Sequence, residues 1–559
     1  MNQGRGRSGV RRAICGAVAP FLILVAPFAV FLQYHGYGFL RAEVAAVLFI
    51  MAVMALLAGA AAAIAPAVEG FLLAGLLTLF VDLQFDPPKG SIGSAFTFLV
   101  LTTVLWFLRG HAVRVVTLMM GTVLVSALLL PRSSGAVPAG AVPASTSHRT
   151  FGSDTLPLIL HLILDEHIGF EGMPPGLTPP AFEREVRSFY DRHGFRLFAR
   201  AYSEHWDSHR SVPHVLNLLP GRYLSSLVAE GTRSKWIVTT NAYFERLAQW
   251  GYSIRVHQSD YLDLCAGQLP APRCQTYAAT SLAPFAQVAL PASQKGPLVA
   301  GMYLKQSNLY LVLRGVYNDT RRQLAPVVAL PSWSWERDRI GPVSSMPVVD
   351  ALASDLRKAR PGDFVMAHLL MPHYPYVYGA NCELLQPGEW LNRWDDEPHP
   401  GAINTPDSRA TRYARYFEQA SCVQKKLEQL MMAIPPSLRR DAIVLIHGDH
   451  GSRISLVEPT VAGRARLSAT DFVDSYSTLF AVRSPHLEPG YDRRLAPITC
   501  LMRTLVESQF HSVSAVERCA TTPTVFVSAD DRTVAMPFPA FGQPPRDGAA
   551  GTTTELVSN

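Results

Sequence analysis

The sequence predicts two structural classes in one chain: an N-terminal α-helical transmembrane domain, followed by an α/β domain with a mainly parallel central sheet. The first prediction rests on five apolar stretches between residues 13 and 130, and the second on short β-branched runs that alternate with helical segments after residue 154. In addition, two of these runs are followed directly by carboxylates and imidazoles. Ligands of open α/β sheets bind beyond the carboxyl ends of strands, so this pattern predicts a site there.

The N-terminal stretches have the composition of membrane-spanning helices, and the mean hydropathy of the whole chain is positive, at +0.14. A spanning helix needs about 20 apolar residues. The first two stretches reach that length and the last three are near the lower limit. A cleaved signal peptide is the alternative for the first stretch, but the four that follow favour a multispan domain of about five helices over residues 1–130. The stretches are 13–32, 44–64, 66–81, 92–108 and 115–130.

Basic residues predict the orientation of these helices. The segment before the first stretch has four arginines and no acid, and the loop between the fourth and fifth stretches has Arg109 and Arg114. Short cytoplasmic loops carry an excess of Lys and Arg, which places both segments inside. Residues 131–559 then face outward from a bacterial-type inner (plasma) membrane, as a periplasmic or extracytoplasmic domain. The net charge of +6 comes largely from such flanks and scattered arginines, so no nucleic-acid partner is predicted.

Cysteine usage predicts disulfides in the outer part of the chain. Cys15 lies in the first apolar stretch, and the other six cysteines all lie in the part predicted to be outside. An even number of cysteines in an exported domain is typical of disulfide bonding. The connectivity stays open at this point, and nearest-neighbour pairing is the simplest prediction. The six are Cys265, Cys274, Cys382, Cys422, Cys500 and Cys519.

Composition and periodicity divide the outer part. Residues 131–154 are rich in Pro, Gly, Ala and Ser, which predicts a linker; residues 155–540 form the predicted catalytic domain; and residues 541–559 are polar and predicted to be disordered. Strands separated by helices predict βαβ units and a mainly parallel sheet. The predicted strands are 158–164, 195–201, 252–257, 364–370 and 442–446; the predicted helices are 182–193, 242–250, 348–358 and 410–432, with another beginning near Ser211.

Two strand ends carry the candidate metal ligands. Either one alone could be a polar surface loop, but two strand ends that both supply carboxylates and imidazoles favour a metal site. Gly448 and Gly451 allow the tight backbone that turns several side chains toward one point. The strand at 442–446 leads to His447, Asp449 and His450, and the strand at 158–164 leads to Asp165, Glu166 and His167.

Two further segments add a candidate nucleophile and a third strand end. Ser208 and Ser211 lie where a loop enters an apolar helix, whose N-terminus offers N–H groups and a positive dipole end to an anion. Serine is also a common helix cap, so on local grounds Ser208 as nucleophile with Ser211 as cap competes with a purely structural role. The strand at 364–370 leads to His373 in a loop stiffened by two prolines, which favours a functional histidine.

Together these motifs resemble the sulfatase branch of the alkaline phosphatase superfamily. An N-terminal multispan segment before such a domain is similar to the phosphoethanolamine transferases and lipoteichoic acid synthases. The resemblance covers about residues 155–485 and implies an alkaline phosphatase/sulfatase-like fold. The motifs are LDE at Leu164–Glu166, a hydroxyl-x-x-Ser-x-Pro pattern at Ser208–Pro213, PHYPY at Pro372–Tyr376 and GDHG at Gly448–Gly451.

The resemblance also implies a metal site. Asp449 and His450 would bind a divalent ion together with Asp165, Glu166 or both, because sulfatases use a pair of acids at that strand end and the transferases a single Glu. His373 would contact the anion or the leaving group. Mixed oxygen and nitrogen ligands favour Zn or Mn, and Ca or Mg also remain possible.

The nucleophile depends on which branch of the family is matched. The transferase pattern aligns Ser208 with a threonine nucleophile, whereas the Cys/Ser-x-Pro-x-Arg box of true sulfatases would choose Ser211. Val215 stands where that box has arginine, which argues against conversion of Ser211 to formylglycine.

These features predict a membrane-anchored, metal-dependent enzyme that transfers or cleaves a phospho-substituted group through a serine nucleophile. Its partners would be the lipid bilayer and a lipid-borne donor or envelope-glycan substrate, since the helices hold the chain at the membrane. One alternative is a sulfuric ester hydrolase (a sulfatase) of the same fold. The other is a catalytically inactive envelope protein, against which the acidic strand ends and the candidate nucleophile argue.

Overall fold

Packing divides the chain, in its computed structural model, into two units. One consists of Met1–Ala136 with Ser281–Arg339, and the other of Val137–Thr280 with Ile340–Asn559. Everything below concerns the residues that the structure describes. These are 3–85, 91–108, 111–129, 155–231, 234–268, 272–279, 282–328, 330, 341–395, 402–514, 523–528, 533–539 and 555–556.

The helices and strands follow the predicted order closely. The helices are α1 Gln3–Tyr34, α2 Ala42–Ile64, α3 Pro66–Phe85, α4 Ser91–Leu108, α5 Ala112–Leu129, α6 Pro180–Arg192, α7 Ser208–Leu216, α8 Ala242–Gln249, α9 Ala292–Leu304, α10 Asn308–Leu324, α11 Gly341–Arg357, α12 Pro406–Ala433, α13 Pro436–Arg439, α14 Ala469–Tyr476 and α15 Ile498–Glu507. The strands are β1 Ile159–Leu164, β2 Arg196–Tyr202, β3 Val228–Glu230, β4 Trp236–Val238, β5 Ser253–Ser259, β6 Leu262–Asp263, β7 Arg273–Tyr277, β8 Asp363–Leu369, β9 Ile443–Gly448, β10 Phe480–Arg483, β11 Gly490–Pro497, β12 Thr524–Ser528, β13 Thr533–Pro537 and β14 Glu555–Leu556.

The first five helices coincide with the five apolar stretches. Among the described residues, three segments are long and apolar enough to cross a membrane: Gly16–Tyr34, Ala42–Ile64 and Ala112–Leu129. Gly93–Leu108 is a shorter apolar helix. Large apolar side chains such as Leu57, at 66% exposure, point away from the protein, as lipid-facing residues do. The N-terminal unit therefore has the character of a membrane anchor, and the number of five spans stays a prediction.

Residues 282–328 pack with the N-terminal helices, although the sequence prediction placed them inside the catalytic domain. Polar contacts hold them there: Arg41 donates to the carbonyl oxygen of Ala286 at 2.5 Å. Asp82 of α3 accepts a 2.5 Å hydrogen bond from the Ser307 hydroxyl and a 2.9 Å bond from the backbone N–H of Leu309. Asp82 thus binds both the cap and the first turn of α10.

The other unit is built on an eight-stranded sheet in the order β11-β2-β10-β9-β1-β8-β5-β7. Strand β1 pairs in parallel with β8 and β9, and β5 pairs in parallel with β7 and β8. Strand β10 is antiparallel to both of its neighbours. The prediction of an α/β domain with a mainly parallel central sheet is confirmed.

The three central strands are buried along their whole length, because helices cover both faces of the sheet. Their register aligns the carboxyl ends, with Leu164 of β1 opposite Leu369 of β8 and Gly448 of β9. One face packs on apolar side chains of α7 and α8, such as Val212 and Phe244. The sheet therefore holds three strand ends side by side on a packed core.

Disulfides form between nearest-neighbour cysteines, as predicted. Cys265 is bonded to Cys274, and Cys382 to Cys422. Cys500 is also disulfide-bonded. The predicted partner of Cys500, Cys519, lies outside the described residues, as do the predicted linker and most of the predicted tail.

We expect a reporter that is active only after export to be active when it is fused after residue 150, because the basic segments place that position outside. The matched control is the same reporter fused after Arg109, in the loop predicted to be cytoplasmic, where it should be inactive. Reporter activity would be measured in whole cells. Activity after Arg109 with none after residue 150 would reverse the orientation.

We expect the denatured, unreduced full chain to expose a single reactive thiol, that of Cys15. The sequence has seven cysteines, and Cys500 must take a partner in addition to the two bonds described above. Thiol alkylation followed by mass spectrometry measures the number, and reduction before alkylation should expose all seven. Alkylation of Cys265 or Cys382 without reduction would contradict the disulfides.

Candidate metal centre and nucleophile

Three ligand-type side chains converge where β1 and β9 end. Asp165 directly follows β1, and Asp449 and His450 directly follow β9. One donor atom from each residue lies within 4.8 Å of the others, and all three residues are buried. Parallel pairing of the two strands with aligned ends explains why these side chains meet. Two carboxylates and one imidazole at this spacing have the geometry of a metal site.

The surroundings of the cluster fit a divalent cation. Asp165 Oδ1 and Asp449 Oδ2 are buried and receive no hydrogen bond from any described residue, which is costly for a carboxylate oxygen. The adjacent Glu166 is also buried, and Arg453 is the cation paired with it. Three carboxylates and one guanidinium leave two negative charges, which one divalent ion would neutralise.

Burial and mutual repulsion set the protonation of the cluster. Burial and the charge of Asp165 raise the pKa of Asp449 well above its ordinary value. Burial alone would raise the pKa of Asp165 too, but His373 and the contact with His368 lower it. Burial and the Arg453 charge lower the pKa of His450 to about 3, so its ring is neutral and has a lone pair for a metal ion.

Ser208 is the hydroxyl nearest to the cluster. Its Oγ is 3.4 Å from Asp165 Oδ2 and 3.3 Å from His450 Nε2. It is the first residue of α7, where the helix dipole favours negative charge. The structure therefore brings Ser208 together with the predicted ligands Asp165, Asp449 and His450.

Ser211 lies one turn further along α7, where its hydroxyl is bonded to neighbouring loops. Its hydroxyl donates to the carbonyl oxygen of Asp449 at 2.5 Å and lies 2.9 Å from the Ser203 hydroxyl. The prediction that Ser211 caps the helix is wrong, because α7 begins three residues earlier. Asp207 is the cap and accepts a 3.1 Å hydrogen bond from the backbone N–H of Arg210. Ser211 instead braces the loop that carries Asp449.

Glu166 lies outside the three-residue cluster, although it was a candidate ligand from the first strand. Its carboxylate accepts hydrogen bonds from Arg453 Nε at 2.8 Å and Nη2 at 2.5 Å, and from the backbone N–H of Tyr374 at 3.2 Å. Its backbone is left-handed, with φ of 64°, and its carboxylate is bonded to Arg453 and is not one of the three converging donors. Asp165 is thus the carboxylate that β1 supplies to the cluster.

Arg453 is the residue that the sequence argument missed. Its guanidinium is buried beside Glu166 and lies 5.8 Å from the ring centres of both Trp206 and Tyr374. The sequence signal that could have identified it is its position two residues after the second glycine of GDHG. That segment was already expected to turn side chains toward one point. Nothing in the spacing, however, identified Glu166 as its partner.

Two histidines from the third strand end border the cluster. His368 Nε2 is 3.6 Å from Asp165 Oδ2, and neither of its buried ring nitrogens makes a hydrogen bond to a described residue. His373 Nε2 is 3.9 Å from Glu166 Oε1, and its ring is partly exposed. His447, predicted beside the ligands, instead contacts His161 of the neighbouring strand β1. Their Nε2 atoms are 2.8 Å apart.

The arrangement combines the parts that displacement at a tetrahedral anion requires. Ser208 supplies a hydroxyl at a helix N-terminus, the three-residue cluster supplies ligands for a cation, and His373 supplies a partly exposed imidazole 3.9 Å from Glu166. A positioned nucleophile beside a site for positive charge suits phosphoryl or sulfuryl transfer.

No family model matches the chain, and no curated protein is similar to it in sequence. Similar solved structures include the C-terminal periplasmic domain of EcEptC from Escherichia coli in complex with Zn, at 10% identity and a TM-score of 0.36 over 68% of this chain and 91% of that one. A protein in the alkaline phosphatase superfamily from Vibrio parahaemolyticus is 13% identical, with a TM-score of 0.34 over 72% and 82%. A 2-O GAG sulfatase is 13% identical, with a TM-score of 0.37 over 68% and 79%. Similarity at this level assigns no residue role, and the geometry of the site stands on its own.

We expect Asp449→Ala and His450→Ala to lose bound metal, because each removes one of three converging donors. His373→Ala should keep the metal and lower turnover by about 10²–10⁴-fold, the usual contribution of a positioned proton-transfer group. Metal content would be measured by mass spectrometry on the purified full chain.

The control for these variants is His511→Ala, which removes an exposed imidazole outside the cluster and should leave metal content unchanged. Loss of metal from His373→Ala would contradict the separate roles given to His373 and the cluster.

Proposed function

We propose that the chain is a membrane-anchored, metal-dependent enzyme that transfers or cleaves a phospho-substituted group, with Ser208 as its nucleophile. The substrate would be an envelope lipid or glycan, since the N-terminal helices tie the chain to the membrane. The proposal rests chiefly on one observation: the Ser208 hydroxyl lies 3.3 Å from His450 and 3.4 Å from Asp165, at the edge of the candidate metal cluster.

Each nearby residue has a role in the proposed displacement. Asp165, Asp449 and His450 would hold a divalent ion, with Zn or Mn favoured by the mixed donors. Such an ion lowers the pKa of a bound hydroxyl and neutralises charge on the transferring group. The Ser208 hydroxyl would lose its proton to solvent, and its oxygen would form a bond to phosphorus as the phosphorus–oxygen bond to the leaving alcohol breaks. His373, which is partly exposed, would give the leaving oxygen its proton.

Arg453 and Glu166 position the surrounding loops. Their ion pair joins the end of β1 to the segment after β9, so it holds two strand ends that carry ligands. The hydrogen bond from the Tyr374 N–H to Glu166 links the His373 loop to the same pair. A buried ion pair of this kind costs roughly 3–5 kcal/mol when one partner is removed.

Sulfate-ester hydrolysis is the second candidate function, and it would require a modified residue at Ser211. That hydroxyl is 1% exposed and is bonded to the Asp449 carbonyl oxygen and to Ser203. Ser208 is also buried, at 6% exposure, but its hydroxyl contacts cluster side chains and not a backbone carbonyl, which favours it as the reacting group. Whether water or an acceptor hydroxyl resolves the intermediate would distinguish a hydrolase from a transferase.

We expect a covalent phospho adduct on Ser208 when the full chain is incubated with vesicles of phosphatidylethanolamine. Intact-mass measurement followed by peptide mapping would locate it. Ser208→Ala should abolish both adduct and turnover. It should leave metal content near that of the wild type, since the three cluster donors remain.

Ser211→Ala is the matched control, because it removes a hydroxyl one turn away on the same helix. It should lower stability by about 1–3 kcal/mol through an unsatisfied buried carbonyl and still form the adduct. An adduct on Ser211, or an aldehyde at that position in the resting protein, would instead assign the chain to the sulfatase hydrolases. Absence of both metal and turnover would favour the inactive envelope protein.

A further inference from the structure

Helix α10 has an exposed face that is apolar, which is unusual for a helix in the predicted outer part of a chain. Leu313, Val316 and Leu324 are 54%, 58% and 41% exposed, and Val327, just beyond the helix, is 87% exposed. Their spacing places them along one side of a helix. Single exposed apolar residues are ordinary, but several along one side of a helix mark a contact surface.

A second side of α10 is already covered by protein. Tyr310 and Arg314 are buried, and the Arg314 guanidinium lies 5.9 Å from the Tyr310 ring centre. Between the buried side and the apolar stripe runs a polar strip that includes the exposed Asp319 and Arg322, which pair with each other. The helix therefore presents one face to protein, one polar face and one apolar face. This three-part division is typical of helices that lie in a membrane interface.

The helices that anchor α10 show where the stripe is. The segment that carries α9 and α10 contacts α1 near its C-terminal end, through Tyr303 against Phe28 and Phe31. It contacts the start of α2 through Arg41, and the C-terminal part of α3 through Asp82. Successive spanning helices run in opposite directions, so the end of α1, the start of α2 and the end of α3 share one side of a membrane.

We propose that α10 lies in the outer membrane interface, with Leu313, Val316 and Leu324 in contact with lipid acyl chains. The occupant of this face is a bilayer because the same unit contains the candidate spanning helices, and α2 exposes large apolar side chains in the same way. This contact is independent of the chemistry proposed for Ser208. It gives the chain a second attachment to the membrane, made by a segment inserted between β7 and α11.

The test measures lipid contact at single positions in the full chain, reconstituted in nanodiscs. With Cys15→Ser as background and the disulfides intact, a bimane label would be placed at Leu313→Cys. Asp319→Cys, whose side chain is 61% exposed on the polar strip, is the matched control. Leu57→Cys on α2 is the positive control for lipid exposure. Quenchers would be lipids with nitroxide on the acyl chain, and iodide in the water.

We expect nitroxide lipids to quench the label at Leu313→Cys several-fold more than that at Asp319→Cys, and iodide to show the reverse order. All three positions are exposed, so labelling leaves the packed side of each helix intact. Equal access of iodide to Leu313→Cys and Asp319→Cys, without lipid quenching, would overturn the proposal. Protection of Leu313→Cys from both quenchers, with crosslinking between copies, would overturn it in favour of a second copy of the chain.

Discussion

Two carboxylates of like charge lie side by side in the interior, at the ends of adjacent parallel strands, and much of the site depends on how their charge is balanced. Asp165 and Asp449 are both buried, and burial together with their repulsion raises the pKa of Asp449. Charges in a low-dielectric interior are tolerated only when they are paired or coordinated. The native state of this region therefore requires a proton or a cation between these residues, and a cation that binds only the folded chain stabilises it by mass action.

The third carboxylate, Glu166, resolves the same problem in a different way. It has a permanent cation of its own in Arg453, at 2.5 Å, whereas Oδ1 of the neighbouring Asp165 has no hydrogen-bond donor among the described residues. Two acids that are adjacent in sequence thus have different roles. Glu166 forms a structural ion pair, and Asp165 keeps an oxygen available to a cation. The contacts show the division: the Glu166 carboxylate is bonded to Arg453, whereas Asp165 supplies one of the converging donors. The Arg453 guanidinium holds the loops together. The site that a divalent cation could fill lies beside Ser208.

Much of this could be predicted from the sequence, because strand ends and helical periodicity are local signals. The apolar runs at 158–164 and 442–446 and the acids that follow them locate the cluster to within a residue. The direction of each side chain is not a local signal. The Glu166 carboxylate is bonded to Arg453, which lies 287 residues further along the chain. The cap of α7 was missed for a related reason. Aspartate and serine are equally good caps, and only packing decides at which of them the helix begins.

The segment that carries α9 and α10 shows a more general limit of sequence patterns. An apolar stripe at helical spacing indicates that one face avoids water, but the spacing is the same whether that face meets a protein core or lipid. In α10 the buried face contains Tyr310 and Arg314, while Leu313 and Val316 are exposed, which is the reverse of a helix packed on a soluble core. In this helix a charged residue is buried by protein, while neighbouring apolar residues are exposed. This pattern fits a helix whose exposed face contacts lipid. The surroundings of the helix, protein or lipid, therefore decide what an apolar stripe indicates, and the sequence period does not.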